Sequence, residues 1–339
     1  MPLTIIVGGF FGDEGKGKIC GYLALADKPF IGVRTGSINA GHTVAHKDRI
    51  WKLRIIPSFF INKSTRLLIA PGALIRLDVL WREINETEAL GRVFLDRNTG
   101  VIEETHVEEE RRDQYLSSFI GSTLQGVGAA MRDRVLRKLK IARDYYELRD
   151  LIIDVSEEVN KAVDRGERVY VEGTQGTFLS LYHGTYPYVT SRDTTASGVA
   201  SEVGVGPKKI DDVIIVFKSY VTRVGEGPLP NEYSTEEILR RGLIEKGTVT
   251  GRLRRVAPFN MDLAKKAVEI NTATQIAITK LDVLFPETRG AREWSRLSPE
   301  AKKWIDEIES FLKRPVSLIG TGEDIEQTID LRKDLGLLR

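Results

Sequence analysis

Short apolar runs rich in β-branched residues alternate with stretches of helical periodicity along most of the chain. Residues 3–7, 31–34, 53–56, 66–70, 93–96, 168–171, 213–217, 275–278 and 316–319 read as strands. Several are continuously apolar, the pattern of strands covered on both faces. Residues 19–26, 73–90, 103–120, 132–138, 146–164, 261–271 and 299–313 read as helices. Strand and helix in alternation predict an α/β fold. With no internal repeat, low-complexity tract or linker in view, residues 1–339 are expected to form a single large domain. Its centre would be a mostly parallel β-sheet flanked by helices.

The most informative polar stretch follows the first strand and runs from Gly8 to Lys18. Strand, glycine-rich loop and helix form a phosphate-cradling geometry. Glycines let the backbone approach the anion, and the helix N-terminus points N–H groups at it. The loop departs from the Walker A pattern, G-x-x-x-x-G-K-[ST]. Phe10 stands where its first glycine belongs, Gly17 replaces the hydroxyl that takes Mg²⁺, and Asp13 sits inside the loop. Further loops of small polar residues follow other strands, at 35–43, 121–128, 172–176 and 320–322. Open α/β sheets bind ligands at the carboxyl ends of their strands, so these loops predict one composite site.

Asp13 and His42 are the acid–base candidates, each in a glycine-containing loop after an early strand. His46 and His106 lie in charged surroundings and read as solvated, whereas His183 lies among aromatics and reads as structural. Thr279-Lys280-Leu281-Asp282 follows a strand in the manner of the guanine-reading tetrad of GTPases. A carboxylate there accepts from the N1–H and N2–H₂ donors of guanine, an edge that adenine lacks. Residues 248–255 concentrate arginines beside glycine and hydroxyls, a pattern suited to carboxylates and phosphates.

Composition narrows the partners. Of 339 residues, 41% are hydrophobic and 29% charged, with a net charge of +2, so no global field favours nucleic acid. No apolar run approaches a membrane span. The lone cysteine, Cys20, and the lack of a signal-peptide pattern lead to the expectation of a cytoplasmic protein.

At this level of detail the chain resembles the adenylosuccinate synthetase family. G-D-E-G-K-G-K lies at 12–18, N-A-G-H-T at 39–43 and E-G-x-Q-G at 172–176. H-G-T-Y-P-Y-V-T-S lies at 183–191, R-V-G-x-G-P at 223–228, T-G-R-x-R at 250–254 and T-K-L-D at 279–282. The resemblance implies a P-loop-like, GTP-dependent ligase that joins IMP and L-aspartate, with Mg²⁺ as cofactor. A GTPase-like switch without ligase activity is the alternative, and it leaves Asp13, His42 and the arginine loop unexplained. Carried over by position, the resemblance makes Asp13, His42 and Lys16 catalytic. It assigns to GTP the residues Gly12, Asp13, Glu14, Gly15, Lys16, Gly17, Lys18, Gly41, His42 and Thr43. Arg254, Lys280, Leu281, Asp282, Gly320, Thr321 and Gly322 complete that set. It assigns to IMP Asp13, Lys16, Asn39, Ala40, Gly41, His42, Thr123, Arg137, Gln175, Thr190 and Arg252. Aspartate falls to Thr248, Val249, Thr250, Gly251, Arg252, Leu253 and Arg254, and the metal to Asp13 and Gly41. A homodimer is implied, with Arg137 reaching the partner's IMP site. The chain is short for the family after Asp282.

Overall fold

The computed structural model describes residues 3–245 and 253–338. Ten strands form one sheet: β1 (Leu3–Gly8), β2 (Ile31–Arg34), β3 (Arg66–Ile69), β4 (Val93–Asp96), β5 (Ile152–Ile153), β6 (Val169–Glu172), β7 (Asp212–Lys218), β8 (Gln275–Thr279), β9 (Val316–Gly320) and β10 (Thr328–Asp330). Their order across the sheet is β10-β9-β8-β7-β1-β6-β2-β3-β4-β5. All neighbours run parallel except the edge pair β9–β10. The parallel strands therefore end on one edge of the sheet. β1 lies between β6 and β7, so the first loop leaves from the middle of that edge.

Alternation within the strands supplies two cores. Leu3, Ile5 and Val7 of β1 face one side with Val213, Ile215 and Phe217 of β7, while Ile6, Ile214 and Val216 face the other. The second side is covered by α1 (Lys16–Asp27), α2 (Leu77–Thr87), α3 (Glu104–Arg112) and α4 (Val127–Val135). The first is covered by α5 (Val155–Asp164), α6 (Ala196–Val203), α7 (Met261–Asn271) and α8 (Pro299–Leu312). The α/β architecture with a mostly parallel, helix-flanked sheet is as the sequence pattern predicts.

The helix expected at 132–138 is instead Val127–Val135, and four further expected elements differ. Residues 54–56 do not form a strand, because the buried Glu83 carboxylate takes the N–H groups of Arg54, Ile55 and Ile56 at 2.7, 2.9 and 2.9 Å. No ladder can use them, and the strand there is Arg49–Leu53, hairpinned antiparallel with His42–His46. The expected helix 73–90 begins only at Leu77, since Leu74–Ile75 pairs with Gly100–Val101. The expected helix 103–120 stops at Arg112. Asp113 then accepts the N–H groups of Tyr115 and Leu116, and Tyr115–Ile120 winds as a wide turn with π-helical hydrogen bonds. The expected helix 146–164 splits around β5 and restarts at Val155, capped by Asp154 accepting from Glu157 N–H.

Candidate active site

The first loop is organised by Glu14. Its Oε1 accepts from Phe10 N–H at 3.0 Å and Gly12 N–H at 2.7 Å, and its Oε2 pairs with Lys16 Nζ at 2.8 Å. Lys16 Nζ also donates to the Gln175 carbonyl. Glu14 is thus buried inside the loop as its brace rather than turned to the cleft. Gly15 caps α1 at φ 88°, a left-handed conformation that favours glycine. Gly17 has no room for a side chain, since a Cβ there would lie 2.7 Å from the Thr43 carbonyl oxygen and 3.0 Å from His42 Cβ. The missing Walker hydroxyl thus has a steric cause: the second loop packs directly on the start of α1.

That packing fixes His42. Its Nδ1 lies 2.5 Å from Glu172 Oε1, at the C-terminal end of β6. Glu172 also accepts from Ser58 N–H at 2.7 Å and Ser58 Oγ at 2.6 Å, and Arg34 lies 3.7 Å away. Burial works against the Glu172 charge, but Arg34, His42 and the Ser58 hydroxyl together hold its carboxyl down to about 2. Burial, with Arg34 nearby, pushes His42 down to about 4 against the pull of Glu172. A neutral imidazole beside an ionised carboxylate carries its hydrogen on Nδ1, which leaves Nε2 free for chemistry.

Asp13 keeps 25% of its side chain open, and its Oδ2 pairs with Arg254 Nη2 at 2.8 Å. Surrounding protein raises its carboxyl above the ordinary range, with Arg254 and Lys218 pulling it back. Lys18 is pushed down to about 7 by burial, although Asp324 and Asp282 oppose this.

These groups meet in one cleft of about 700 Å³ at the carboxyl edge of the sheet. Gly12, Asp13, Gly15, Lys16, Gly17, Lys18, Asn39, Ala40, Gly41, His42, Thr43, Thr123, Gln175, Thr190, Arg254, Lys280 and Gly322 all line it. Gln175 Nε2 donates to Thr190 Oγ1 at 2.8 Å, which joins two of the expected IMP contacts. Glu14, Leu253, Leu281, Asp282, Gly320 and Thr321 do not line the cleft. The Thr321 hydroxyl is committed to the Ala291 carbonyl at 2.6 Å. Arg137 is exposed, follows α4 at φ 61°, and lies away from the cleft lining. Thr248, Val249, Thr250, Gly251 and Arg252 lie outside the described residues.

Most buried polar atoms find a hydrogen-bond partner, so the exceptions near the cleft stand out. Among the described residues these include Asn39 Oδ1, Ser191 Oγ, Arg254 Nε and Asp282 Oδ1. Asn39, Ser191 and Arg254 line the cleft, whereas Asp282 lies outside its lining with Oδ2 3.5 Å from Arg289 Nε. Sequence reasoning assigned no role to Glu172, Ser191, Lys218, Arg223 or Glu245. Glu172, Ser191 and Arg223 fall within motifs already noted, which was the available signal. The histidines outside the site also differ from expectation. His106 is buried and its Nδ1 accepts from Glu103 N–H at 3.0 Å, whereas His183 is exposed rather than structural.

A family model described as adenylosuccinate synthetase matches residues 5–144 and 139–287. The chain belongs to the adenylosuccinate synthetase family. It is 51% identical to the adenylosuccinate synthetase of Methanocaldococcus jannaschii, over 99% of this chain and 98% of that protein. With that of Archaeoglobus fulgidus it shares 48% identity over 98% of this chain and 99% of the relative. Among solved structures, fully ligated adenylosuccinate synthetase from Plasmodium falciparum superposes with a TM-score of 0.89 at 26% identity, covering 97% of this chain and 100% of that one. A cyanophage S-2L succinoaminodeoxyadenylate synthetase, bound to dGMP and dATP as an energy donor, gives 0.83 at 25% identity, covering 99% and 98%. Membership over nearly the full length favours a ligase over a GTPase-like switch. Among the described residues no helix is long and apolar enough to cross a membrane.

Proposed function

We propose that this chain catalyses the GTP-dependent joining of IMP and L-aspartate to adenylosuccinate, with release of GDP and phosphate. The observation that carries the reading is the convergence of Asp13, Lys16, His42 and Arg254 on one cleft. Asp13 takes the N1 proton of IMP as the purine O6 attacks the γ-phosphorus of GTP, and GDP leaves. The aspartate amine then adds at C6 of the phosphorylated purine, and phosphate departs with the C6–O bond. A carboxylate is a weak base for a purine N–H. The proton transfer is therefore coupled to the attack of O6 on phosphorus, which makes N1 more acidic as it proceeds. Lys16, fixed by Glu14 and the Gln175 carbonyl, places a cation beside the transferring phosphoryl group. His42 Nε2, with Nδ1 anchored on Glu172, meets charge as it develops on the oxygens in flight.

The Asp13 carboxylate is partly open to the cleft that Gly41 also lines, and a carboxylate with a backbone carbonyl is a hard-oxygen donor set that fits Mg²⁺. Such an ion supplies charge neutralisation on the nucleotide phosphates. Lys280 and Asp282 read the guanine, while Thr123, Gln175 and Thr190 hold IMP. The chain works as a cytoplasmic homodimer in which Arg137 serves the partner's IMP site.

The test is a spectrophotometric assay for adenylosuccinate with IMP, aspartate and either GTP or ATP. Product with GTP and little with ATP is expected, and equal use of ATP would overturn the guanine assignment. Asp13→Ala should abolish turnover and leave the circular dichroism spectrum unchanged; appreciable residual kcat would refute its role as base.

A further inference from the structure

The network beneath Asp13 is built on one carboxylate, that of Glu245. Its Oε2 accepts from Lys218 Nζ at 2.8 Å and from Arg254 Nη1 at 2.6 Å, and its Oε1 accepts from the Tyr220 hydroxyl. Arg254 is tied a second time, its backbone N–H donating to the Glu245 carbonyl at 3.0 Å. The other terminal nitrogen of the same guanidinium, Nη2, is the one that meets Asp13 Oδ2 at 2.8 Å. Lys218 ends β7 next to the first loop, is 3% exposed, and also donates to Thr222 Oγ1 at 2.7 Å. Glu245 is 15% exposed.

Two carboxylates and two cations therefore balance at the edge of the cleft, with Lys218 and Arg254 nearly buried. A guanidinium is a planar fork, so anchoring Nη1 on one carboxylate confines Nη2 to a short arc about that anchor. The fork is also incompletely satisfied: among the described residues, Arg254 Nε is buried without a hydrogen-bond partner. Such a buried donor is costly, and an arriving anion relieves it. Lys218 and Arg254 would repel one another without the carboxylate between them.

Resting on the ligase reading above, we propose that Glu245 is a positioning residue for phosphoryl transfer. It is the pivot on which Arg254 guards the Asp13 carboxylate before substrates enter and turns to the phosphates of the donor nucleotide afterwards. Nη1 stays on Glu245 throughout. Nη2 leaves Asp13, which frees that carboxylate for the purine proton at the moment the donor is in place. Glu245 touches neither substrate in this scheme and acts through Arg254.

The experiment compares wild type, Glu245→Gln and the double variant Glu245→Gln/Lys218→Met. The kinetic constants are measured for all three substrates, with GTP binding followed by calorimetry. Glu245→Gln keeps the shape but loses the charge. The KM and Kd for GTP should rise about ten-fold and kcat should fall by at least about ten-fold, with the KM for IMP within about two-fold of wild type. The double variant removes the buried cation together with its counter-charge. If Glu245 served only to neutralise Lys218, the double variant would recover wild-type constants. If it holds Arg254, the double variant stays impaired, and that is the result expected. Wild-type constants in Glu245→Gln, or recovery in the double variant, would overturn the proposal. Should Glu245→Gln fail to fold, the charge-balanced double variant carries the same comparison. A wild type that binds GTP but forms no adenylosuccinate would instead defeat the ligase reading, and the GTP affinities would still decide the role of Glu245.

Discussion

His42 shows how a residue's chemistry is set by what holds it. Glu172 is buried, ionised and shared with Ser58, so it fixes one imidazole nitrogen and leaves the other to the cleft. His42→Asn should lower kcat by about 10²–10⁴-fold, the usual range for a positioned acid–base group, with the thermal midpoint little changed. Near-normal turnover would reject its role. Lys18 carries a pH dependence of its own. Burial holds it down to about 7 in the free protein, so at pH 8 most of it is neutral. Nucleotide phosphates favour the charged form and raise that value, so binding takes up a proton. GTP affinity should therefore be full below about pH 7 and decline as pH rises toward the pKa of the complex. Calorimetry at pH 8 in two buffers of different ionisation enthalpy reads the proton uptake directly, and identical enthalpies would contradict it.

At the scale of elements, the join between α1 and the second loop carries the design. Gly17→Ser would restore a Walker-like hydroxyl in sequence, but the new Cβ meets the Thr43 carbonyl at 2.7 Å. The variant should lose about 1–3 kcal/mol of stability in urea denaturation and bind GTP more weakly. Gly17→Ala should match it, because the conflict is with Cβ and not with the hydroxyl; a harmless Gly17→Ala would refute this cause. The strands and the loops at their carboxyl ends were legible in the sequence, since continuous apolar runs and clustered glycines are local patterns. What was not legible is the set of glutamates that brace those loops. Glu83 answers the backbone of residues 54–56, Glu110 that of Gly126 and Gly128, and Glu172 answers His42 and Ser58. Each acts across a long sequence separation and looks locally like any helix or strand-end glutamate. The broken helices failed for a related reason: short pairings such as Leu74–Ile75 with Gly100–Val101 override helical periodicity.

For the whole molecule, the cleft draws on loops from both halves of the sheet, whereas Arg137 stands apart from it, exposed. In the proposed homodimer Arg137→Leu should raise the KM for IMP by roughly 10–100-fold, the loss of one charge-assisted contact to phosphate. The fold and the GTP affinity should be unchanged, and a fully active monomer by size-exclusion chromatography would contradict the shared site. The central place of β1 has a further consequence, for the newborn chain. Leu3 pairs with Val169 and Thr4 with Asp212, so β1 has no hydrogen-bonding neighbour in the sheet until roughly 170 further residues have been made. At about 5–20 residues per second that is a wait on the order of ten seconds or more. Over that interval the apolar strand Leu3–Gly8 waits without its ladder partners, so the centre of the sheet is completed late in synthesis although its sequence is made early.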